Sequence, residues 1–303
     1  MSLNPIVPSP GGQYTYPSSQ PAQSNYTAAV TSVYPNALLA QTVTSYLNTF
    51  ILANFGLNAS SLMLAQSICS DDANAPYFGN ASNMGQTAPF QNNFLGPFFA
   101  GGLGGYPHTG LTAFIAWGSH VTNTGALALT AMPHIGITQQ AEVGYINRYG
   151  HTSENQVSST CGAVALANAW VVSSSVAPTT GDFPNDYQQY TLTDILYPYK
   201  AGIETGSFGE QMMFSTEIIR VSSSQWIINN IPNLTSPPAV PGTYTIPANI
   251  YYFCGTFINV DYGFDAYINP DTFQVFEPSN TTSSPSGSWV DYTTQFLNGL
   301  NGL

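Results

Sequence analysis

The apolar and polar positions along the chain alternate between strand-like and helix-like segments. Apolar residues recur every three to four positions between Asn36 and Phe55, which predicts a helix that ends at Gly56. Two further helices are predicted at Ser158–Val172, which is apolar nearly all round and is expected to be buried, and at Gln188–Tyr199. Short apolar runs predict strands that end at Ile68 and that span Thr112–Val121, Ala126–Met132, Val143–Arg148, Phe214–Val221 and Asn249–Val260. Strands that alternate with helices are typical of an α/β fold, here with a mostly parallel β-sheet flanked by helices.

The ends and loops of the chain have a different composition. Residues 1–35 are rich in Pro, Gly, Ser, Gln and Tyr, which predicts an extended N-terminal arm. Residues 36–303 are then expected to form a single α/β domain. The segment 229–248 carries five prolines and is predicted to be a loop, for which contact with a neighbouring subunit is one interpretation.

Charged residues make up only 6% of the chain, and three basic residues face fifteen acidic ones, for a net charge of -12. Nucleic-acid binding is therefore excluded, because so few cations cannot neutralise a phosphate backbone. The uncharged polar surface favours an extracellular or surface-exposed setting, or self-association. The first ten residues lack the pattern of a signal peptide, and no apolar run is long enough to predict a membrane span.

Three residues lie where chemistry is expected in such a fold. Cys69 and His134 each follow a predicted strand, where open α/β sheets bind ligands, and Cys161 begins a predicted helix, whose N-terminus favours a thiolate. Two thiolates and one imidazole suit Zn²⁺ and leave a fourth position for water or a carboxylate. These residues can meet only through tertiary folding, which argues for a catalytic type of zinc site. Two other interpretations stay open: the cysteines are ordinary buried residues, or Cys69 and Cys161 form a disulfide.

Five segments of the sequence, taken in order, resemble a known family. They are Cys69–Asn74, Gly101–Gly110, Ser119–Gly125, Pro133–Ile137 and Ser159–Ala163. Together they resemble the Cys-Gly-His-rich domain of the limiting-CO2-inducible protein B family, also called theta-class carbonic anhydrases. That family is similar to the β-class carbonic anhydrases in fold and zinc site. The resemblance is strongest over residues 36 to 172 and continues more weakly toward residue 270.

The resemblance implies a function and a set of site residues. Zn²⁺ would be held by Cys69, His134 and Cys161, and a zinc-bound hydroxide would convert CO2 reversibly to bicarbonate. Asp71 would be the carboxylate that gates the zinc or orients its water, although a loop-capping role for Asp71 stays open. A homodimer or a larger homo-oligomer is also implied.

Two further residues are candidates at this site. The β-class enzymes pair the aspartate with an arginine two residues later, but Ala73 occupies that position here, so Arg148 is the candidate partner. A role for Arg148 as an anchor at a strand end stays open. His120 is a candidate proton shuttle, and a buried structural histidine is the alternative interpretation.

A second functional hypothesis is a structural subunit that assembles into a particle or filament and keeps the fold, with or without turnover at the zinc. The low charge, the Tyr-rich arm and the Pro-rich loop motivate it, because uncharged polar surfaces lose little on desolvation. The two hypotheses are compatible with each other.

Overall fold

The computed structural model describes residues 22–57, 62–69, 73–74, 126–148, 157–230, 249–261, 264–279 and 286–303. Seven α-helices lie in these segments: α1 Gln23–Val33, α2 Ala40–Phe55, α3 Gly162–Ser173, α4 Tyr187–Leu196, α5 Lys200–Ile203, α6 Phe208–Asn230 and α7 Thr293–Asn301. Nine strands accompany them: β1 Leu38–Leu39, β2 Leu62–Ile68, β3 Ala126–Met132, β4 His134–Gly136, β5 Tyr145–Asn147, β6 Val157–Ser159, β7 Asn249–Asn259, β8 Tyr267–Ser279 and β9 Ser286–Asp291. The strand predicted at Thr112–Val121 lies outside the described residues.

In the described residues, seven strands form one sheet at the centre of the fold. Strands β2, β3 and β7 run parallel, with β3 between the other two, and the short β4 extends the parallel pairing along the far end of β7. Strand β8 pairs antiparallel with β7, and β1 and β9 pair antiparallel with β8. Strands β5 and β6 form a separate antiparallel hairpin. The predicted α/β class with its parallel central strands is confirmed.

Helices cover both faces of the sheet, because alternate residues of the central strands point to opposite sides. On one face, Ala126, Ala128 and Met132 of β3 pack with α2 and α7 in a core rich in phenylalanine. On the other face, Leu127 and Leu129 pack against α6. A third apolar cluster surrounds the end of the sheet and contains Cys69 and Cys161. Strands β3 and β7 are therefore buried on both faces, which explains why they are mostly apolar.

Several predicted elements agree with the structure. Helix α2 ends at Gly56, whose φ of 64° lies in the left-handed region that glycine adopts without strain. Strands β2, β3, β5 and β7 and helix α4 occur where the sequence predicts them. Within the described residues, no helix combines the length and the hydropathy that crossing a membrane requires.

The strand predicted at Phe214–Val221 is wrong, because this segment lies inside the 23-residue helix α6. Several of the buried positions of α6 are occupied by small polar residues instead of apolar ones. They are Ser215, Thr216, Ser223 and Ser224. The buried positions of α6 therefore recur with the period of a helix, but the hydrophobic residues in its sequence do not show that period.

The expectation that helix α3 is buried all round is also wrong. Its residues Val164, Ala167 and Val171 face the core, whereas Leu166 is 57% exposed and Val172 is 39% exposed. The helix begins at Gly162, and the residues before it form β6. Helix α3 thus lies on the surface of the fold and presents an apolar outer side.

The N-terminal segment differs from the prediction as well. Gln23–Val33, expected as part of an extended arm, is helical, and Tyr26, Ala29 and Val30 of this helix are buried. The preceding residues of the predicted arm lie outside the described part of the chain. The division into an arm and a single domain at residue 36 stays a prediction.

Candidate metal centre

Three structural elements converge at one end of the sheet. Cys69 follows β2, and His134 begins β4 just after β3. The parallel register aligns Ile68 with Met132, so the chain leaves both strands at the same level. Cys161 lies at the N-terminus of α3. This is the edge at which ligands bind in open α/β sheets, as the sequence analysis expected.

The three side chains form a compact, buried cluster. Their ligand atoms all lie within 4.8 Å of one another. Cys69 is 3% exposed, His134 1% and Cys161 0%. In the described part of the chain, this is the one group of such residues close enough to share a metal ion. The structure therefore brings together the three residues that the sequence analysis selected as metal ligands.

The two sulfur atoms are separated by 3.8 Å. A disulfide would bring them to about 2.05 Å, so the structure does not contain the Cys69–Cys161 disulfide that the sequence had left open. Two sulfurs that each lie about 2.3 Å from a tetrahedral ion would be about 3.8 Å apart. The observed separation thus fits two ligands of one metal ion.

A buried pair of amide side chains supports the cluster. His134 Nδ1 lies 2.8 Å from Asn259 Oδ1 at the end of β7. Asn259 Nδ2 donates to Asn74 Oδ1 at 3.0 Å, and Asn74 Nδ2 donates to the carbonyl oxygen of Cys69 at 3.0 Å. Sequence reasoning assigned no role to either asparagine. Asn74 ends the first segment that resembles the family, and Asn259 interrupts an apolar strand, and these are the signals that could have found them.

The carboxylate of Asp261 ties neighbouring elements to the same edge of the sheet. It is buried and accepts hydrogen bonds from the hydroxyl of Tyr26 on α1 at 2.7 Å and from the backbone N–H of Asn147 on β5 at 2.7 Å. The β5–β6 hairpin leads directly into Cys161. Asp261 therefore connects the strand that carries Asn259 to the hairpin that positions Cys161.

Arg148 lies on the same hairpin. Its guanidinium donates to the carbonyl oxygens of Ser159 at 2.8 Å and Thr160 at 3.1 Å, immediately before Cys161. These bonds agree with the interpretation of Arg148 as an anchor at a strand end, and they hold its guanidinium against the backbone that leads into Cys161. Asp71 and His120, the other two catalytic candidates, lie outside the described residues. A pairing of Arg148 with Asp71 is thus untested and stays a proposal.

The third cysteine, Cys254, is buried within β7 and belongs to a different apolar cluster. Burial raises the pKa of the Cys254 thiol. Cys254 is therefore a neutral core residue, and it provides an internal comparison for the two clustered cysteines.

Comparison with known proteins agrees with this geometry. Residues 39–277, more than three quarters of the chain, match the family described as limiting CO2-inducible proteins B/C beta carbonic anhydrases. The crystal structure of PtLCIB4, a homolog of the limiting CO2-inducible protein LCIB, is similar with a TM-score of 0.63 and 21% identity, covering 88% of this chain and 98% of that chain. The crystal structure of LCIB is similar with a TM-score of 0.53 and 15% identity, covering 86% and 96%. No curated protein sequence gives a significant match.

Gly136 allows the close approach on which the cluster depends. A Cβ atom at this position would overlap Thr160 Oγ1 and lie 2.6 Å from the carbonyl oxygen of Tyr145. We expect Gly136→Ala to push the hairpin away from β4, to lower the free energy of unfolding by about 1–3 kcal/mol, and to weaken metal binding by separating Cys161 from His134. Urea unfolding and metal titration measure the two effects.

The matched control is Gly162→Ala, next to Cys161, where a Cβ atom would meet nothing within 4 Å. We expect this variant to bind metal like the parent and to change stability by less than about 1 kcal/mol. Equal losses of metal binding in both variants would contradict the steric role of Gly136.

Proposed function

Since this chain belongs to the family of limiting CO2-inducible proteins B/C β-carbonic anhydrases, we propose that it is a zinc-dependent enzyme that converts CO2 reversibly to bicarbonate. The observation that carries the proposal is the buried Cys69–His134–Cys161 cluster, whose ligand atoms lie within 4.8 Å of one another. The position of the cluster at the carboxyl ends of parallel strands supports it further.

The residues present fit a zinc ion in both chemistry and charge. Two thiolates and one neutral imidazole are a common ligand set for zinc, and their charge of minus two balances the dication. A neutral total matters here because the three side chains are nearly inaccessible to water, where an uncompensated charge is costly. When bound, Zn²⁺ supplies Lewis acidity that lowers the pKa of a water molecule toward ~7.

The protein contributes position and exclusion of water. Cys69 and Cys161 belong to an apolar cluster that includes Ile135, Ile137 and Val164. These side chains keep bulk water from the protein ligands and maintain a low local dielectric, in which charge interactions are strong. CO2 is small and apolar, so such surroundings are compatible with its approach.

We propose that three further residues orient the reacting group and transfer its proton. We infer that Asp71 accepts a hydrogen bond at the reacting position and that Arg148 is the cation that holds this carboxylate. Arg148 is positioned beside Cys161 by its bonds to the carbonyls of Ser159 and Thr160, which supports the second half of this assignment. His120 is proposed as the shuttle that passes the proton to solvent.

Zinc content tests the proposal directly. We expect the protein, purified without chelator, to contain about one zinc ion per chain, and Cys161→Ala to contain less than about a tenth of that, because a missing thiolate removes both a ligand and a balancing charge. Elemental analysis measures this, and Cys254→Ala is the control that should keep its zinc. A parent protein with no zinc, or equal loss in both variants, would contradict the site.

The role of Asp71 is tested by comparing substitutions at Asp71 and at the adjacent Asp72. We expect Asp71→Asn to keep its zinc and to lower CO2 hydration about 10–100-fold, because a neutral amide no longer orients the reacting group as a carboxylate does. Stopped-flow measurements of the pH change give the rate, and Asp72→Asn is the matched control. If Asp71→Asn shows the rate and pH profile of the parent, Asp71 has no role at the metal.

Assembly of several copies is proposed alongside catalysis. The chain has no charged residue between Ser158 and Gly181, and within this stretch Leu166, Val172 and Val176 are exposed apolar side chains. Such a face favours contact with a second copy. We expect sedimentation to show a dimer or a larger oligomer at micromolar concentration.

The role of this face is tested by variants. Leu166→Glu should shift the population to monomer, because a charge at this face would lose its hydration in the contact. Leu303→Glu, at another exposed leucine, should leave the population unchanged. A monomeric parent would exclude both the oligomer and the filament alternative.

A further inference from the structure

Two buried asparagines form a continuous hydrogen-bond chain behind the metal cluster. Asn74 and Asn259 are 0% and 2% exposed. In each side chain the NH2 group donates a hydrogen bond and the oxygen accepts one. The chain of bonds runs from the backbone of Cys69 through Asn74 and Asn259 to the ring of His134. Two of the three candidate ligands, Cys69 and His134, are thus joined by the side chains of Asn74 and Asn259, which we call the amide relay.

The orientation of each amide follows from the backbone carbonyls that it meets. Asn74 lies 3.0 Å from the carbonyl oxygen of Cys69, and since a carbonyl only accepts, the contacting atom of Asn74 is its NH2 group. The oxygen of Asn74 therefore faces Asn259. The NH2 group of Asn259 meets that oxygen at 3.0 Å and the carbonyl oxygen of Ala73 at 3.1 Å. Reversing either amide would place two acceptors against each other.

With both amides fixed, the atom that meets His134 is the oxygen of Asn259, which can only accept. The contact at 2.8 Å is therefore a hydrogen bond that Nδ1–H of His134 donates. Nothing in an isolated imidazole selects this tautomer, because either nitrogen can carry the proton. We propose that Asn259, oriented by Asn74 and Ala73, is the positioning residue that fixes His134 as the Nδ1–H tautomer and thereby makes Nε2 the metal-binding nitrogen.

The amide relay carries no charge, and this explains why an asparagine, and not an aspartate, accepts the hydrogen bond of His134. Metal-bound histidines commonly donate their second N–H to a carboxylate, a carbonyl or water, and the partner tunes the ligand. With two thiolates and a dication the cluster is already neutral, so a carboxylate at position 259 would bury an extra negative charge. An amide oxygen selects the same tautomer without adding charge. The inference about the tautomer stands on the hydrogen bonds alone, and only its link to metal binding rests on the proposed function.

Nuclear magnetic resonance of the ¹⁵N-histidine-labelled protein reads the tautomer directly, with the His134 signals assigned by their loss in His134→Gln. We expect the proton on Nδ1 in the chelator-treated protein, and the same proton with zinc on Nε2 in the zinc-loaded protein. A proton on Nε2 without metal, or zinc on Nδ1, would overturn the proposal. If the parent binds no zinc at all, the proposed function fails while the tautomer is still read in the metal-free protein.

Variants of Asn259 separate a tautomer-fixing role from a packing role. Asn259→Leu keeps the approximate shape and removes the acceptor, and we expect about 10–100-fold weaker zinc binding in a chelator competition. Asn259→Asp keeps an acceptor for His134 but faces the oxygens of Ala73 and Asn74, so it should lower the melting temperature while binding zinc more tightly than Asn259→Leu. Zinc affinities that simply follow the melting temperatures of the two variants would show that Asn259 only supports packing.

The matched control is Asn168→Leu. Asn168 is another buried asparagine, two helical turns along α3 from Cys161, and its side-chain oxygen accepts a hydrogen bond from the hydroxyl of Ser215 at 2.6 Å. We expect this variant to lose stability and to keep the zinc affinity of the parent. Should Asn259→Leu fail to fold, the tautomer measured in the parent chain still decides the proposal.

Discussion

Parallel pairing of β2, β3 and β7 is the constraint on which the rest of the structure depends. Parallel strands bring their carboxyl ends to one edge of the sheet, so the residues that follow them meet without any local motif. The register places Cys69 beside the turn that leads to His134, and it aligns β4 with the part of β7 that carries Asn259. Only Cys161 reaches the cluster from outside the sheet, through the β5–β6 hairpin.

That edge is costly to bury, and the surrounding polar groups offset the cost by bonding to one another. Asp261 accepts hydrogen bonds from Tyr26 and Asn147, and Asn259 satisfies both atoms of its amide. A buried polar group left without partners costs about 1–3 kcal/mol, so networks of this kind specify one arrangement and disfavour others. The hydrogen bonds of Asn74, Asn259 and Asp261 therefore favour one arrangement of the elements that meet at this end of the sheet.

The sequence was sufficient to predict the parts of the fold that have a strong local signal. Strands such as Ala126–Met132, in which Thr130 is the one polar residue, are nearly continuous apolar runs because both faces of the sheet are covered. Helix α2 has a clear helical period and is followed by a glycine. The candidate ligands could be selected because Cys69 and His134 each follow an apolar run and Cys161 begins a helix. The alternation of strands with helices predicts parallel strands, and parallel strands bring the residues that follow them to the same edge of the sheet.

Other features depend on information that the sequence pattern does not contain. Helix α6 buries serine and threonine at core positions, so its period of burial is not a period of hydrophobicity. The outer side of α3 is apolar, and apolar composition alone does not distinguish a surface helix from a buried one. The roles of Asn74 and Asn259 required the register of β7, because the two residues are far apart in the sequence and meet only through tertiary pairing.

The low charge of the chain bears on how its candidate metal centre could balance the charge of a metal ion. With so few ionic groups in the sequence, few cations or carboxylates are available to balance a charged cluster. The ligand set of two thiolates and a neutral imidazole needs none when it holds a dication, and the second ring nitrogen of the histidine is hydrogen-bonded to a neutral amide. With a dication bound, charge would be balanced within the three candidate ligands, and the hydrogen-bonded amides would supply their orientation. The backbone carbonyls of Cys69 and Ala73 set that orientation, since they determine which way both amides point and, through them, which nitrogen of His134 carries the proton in the proposed tautomer.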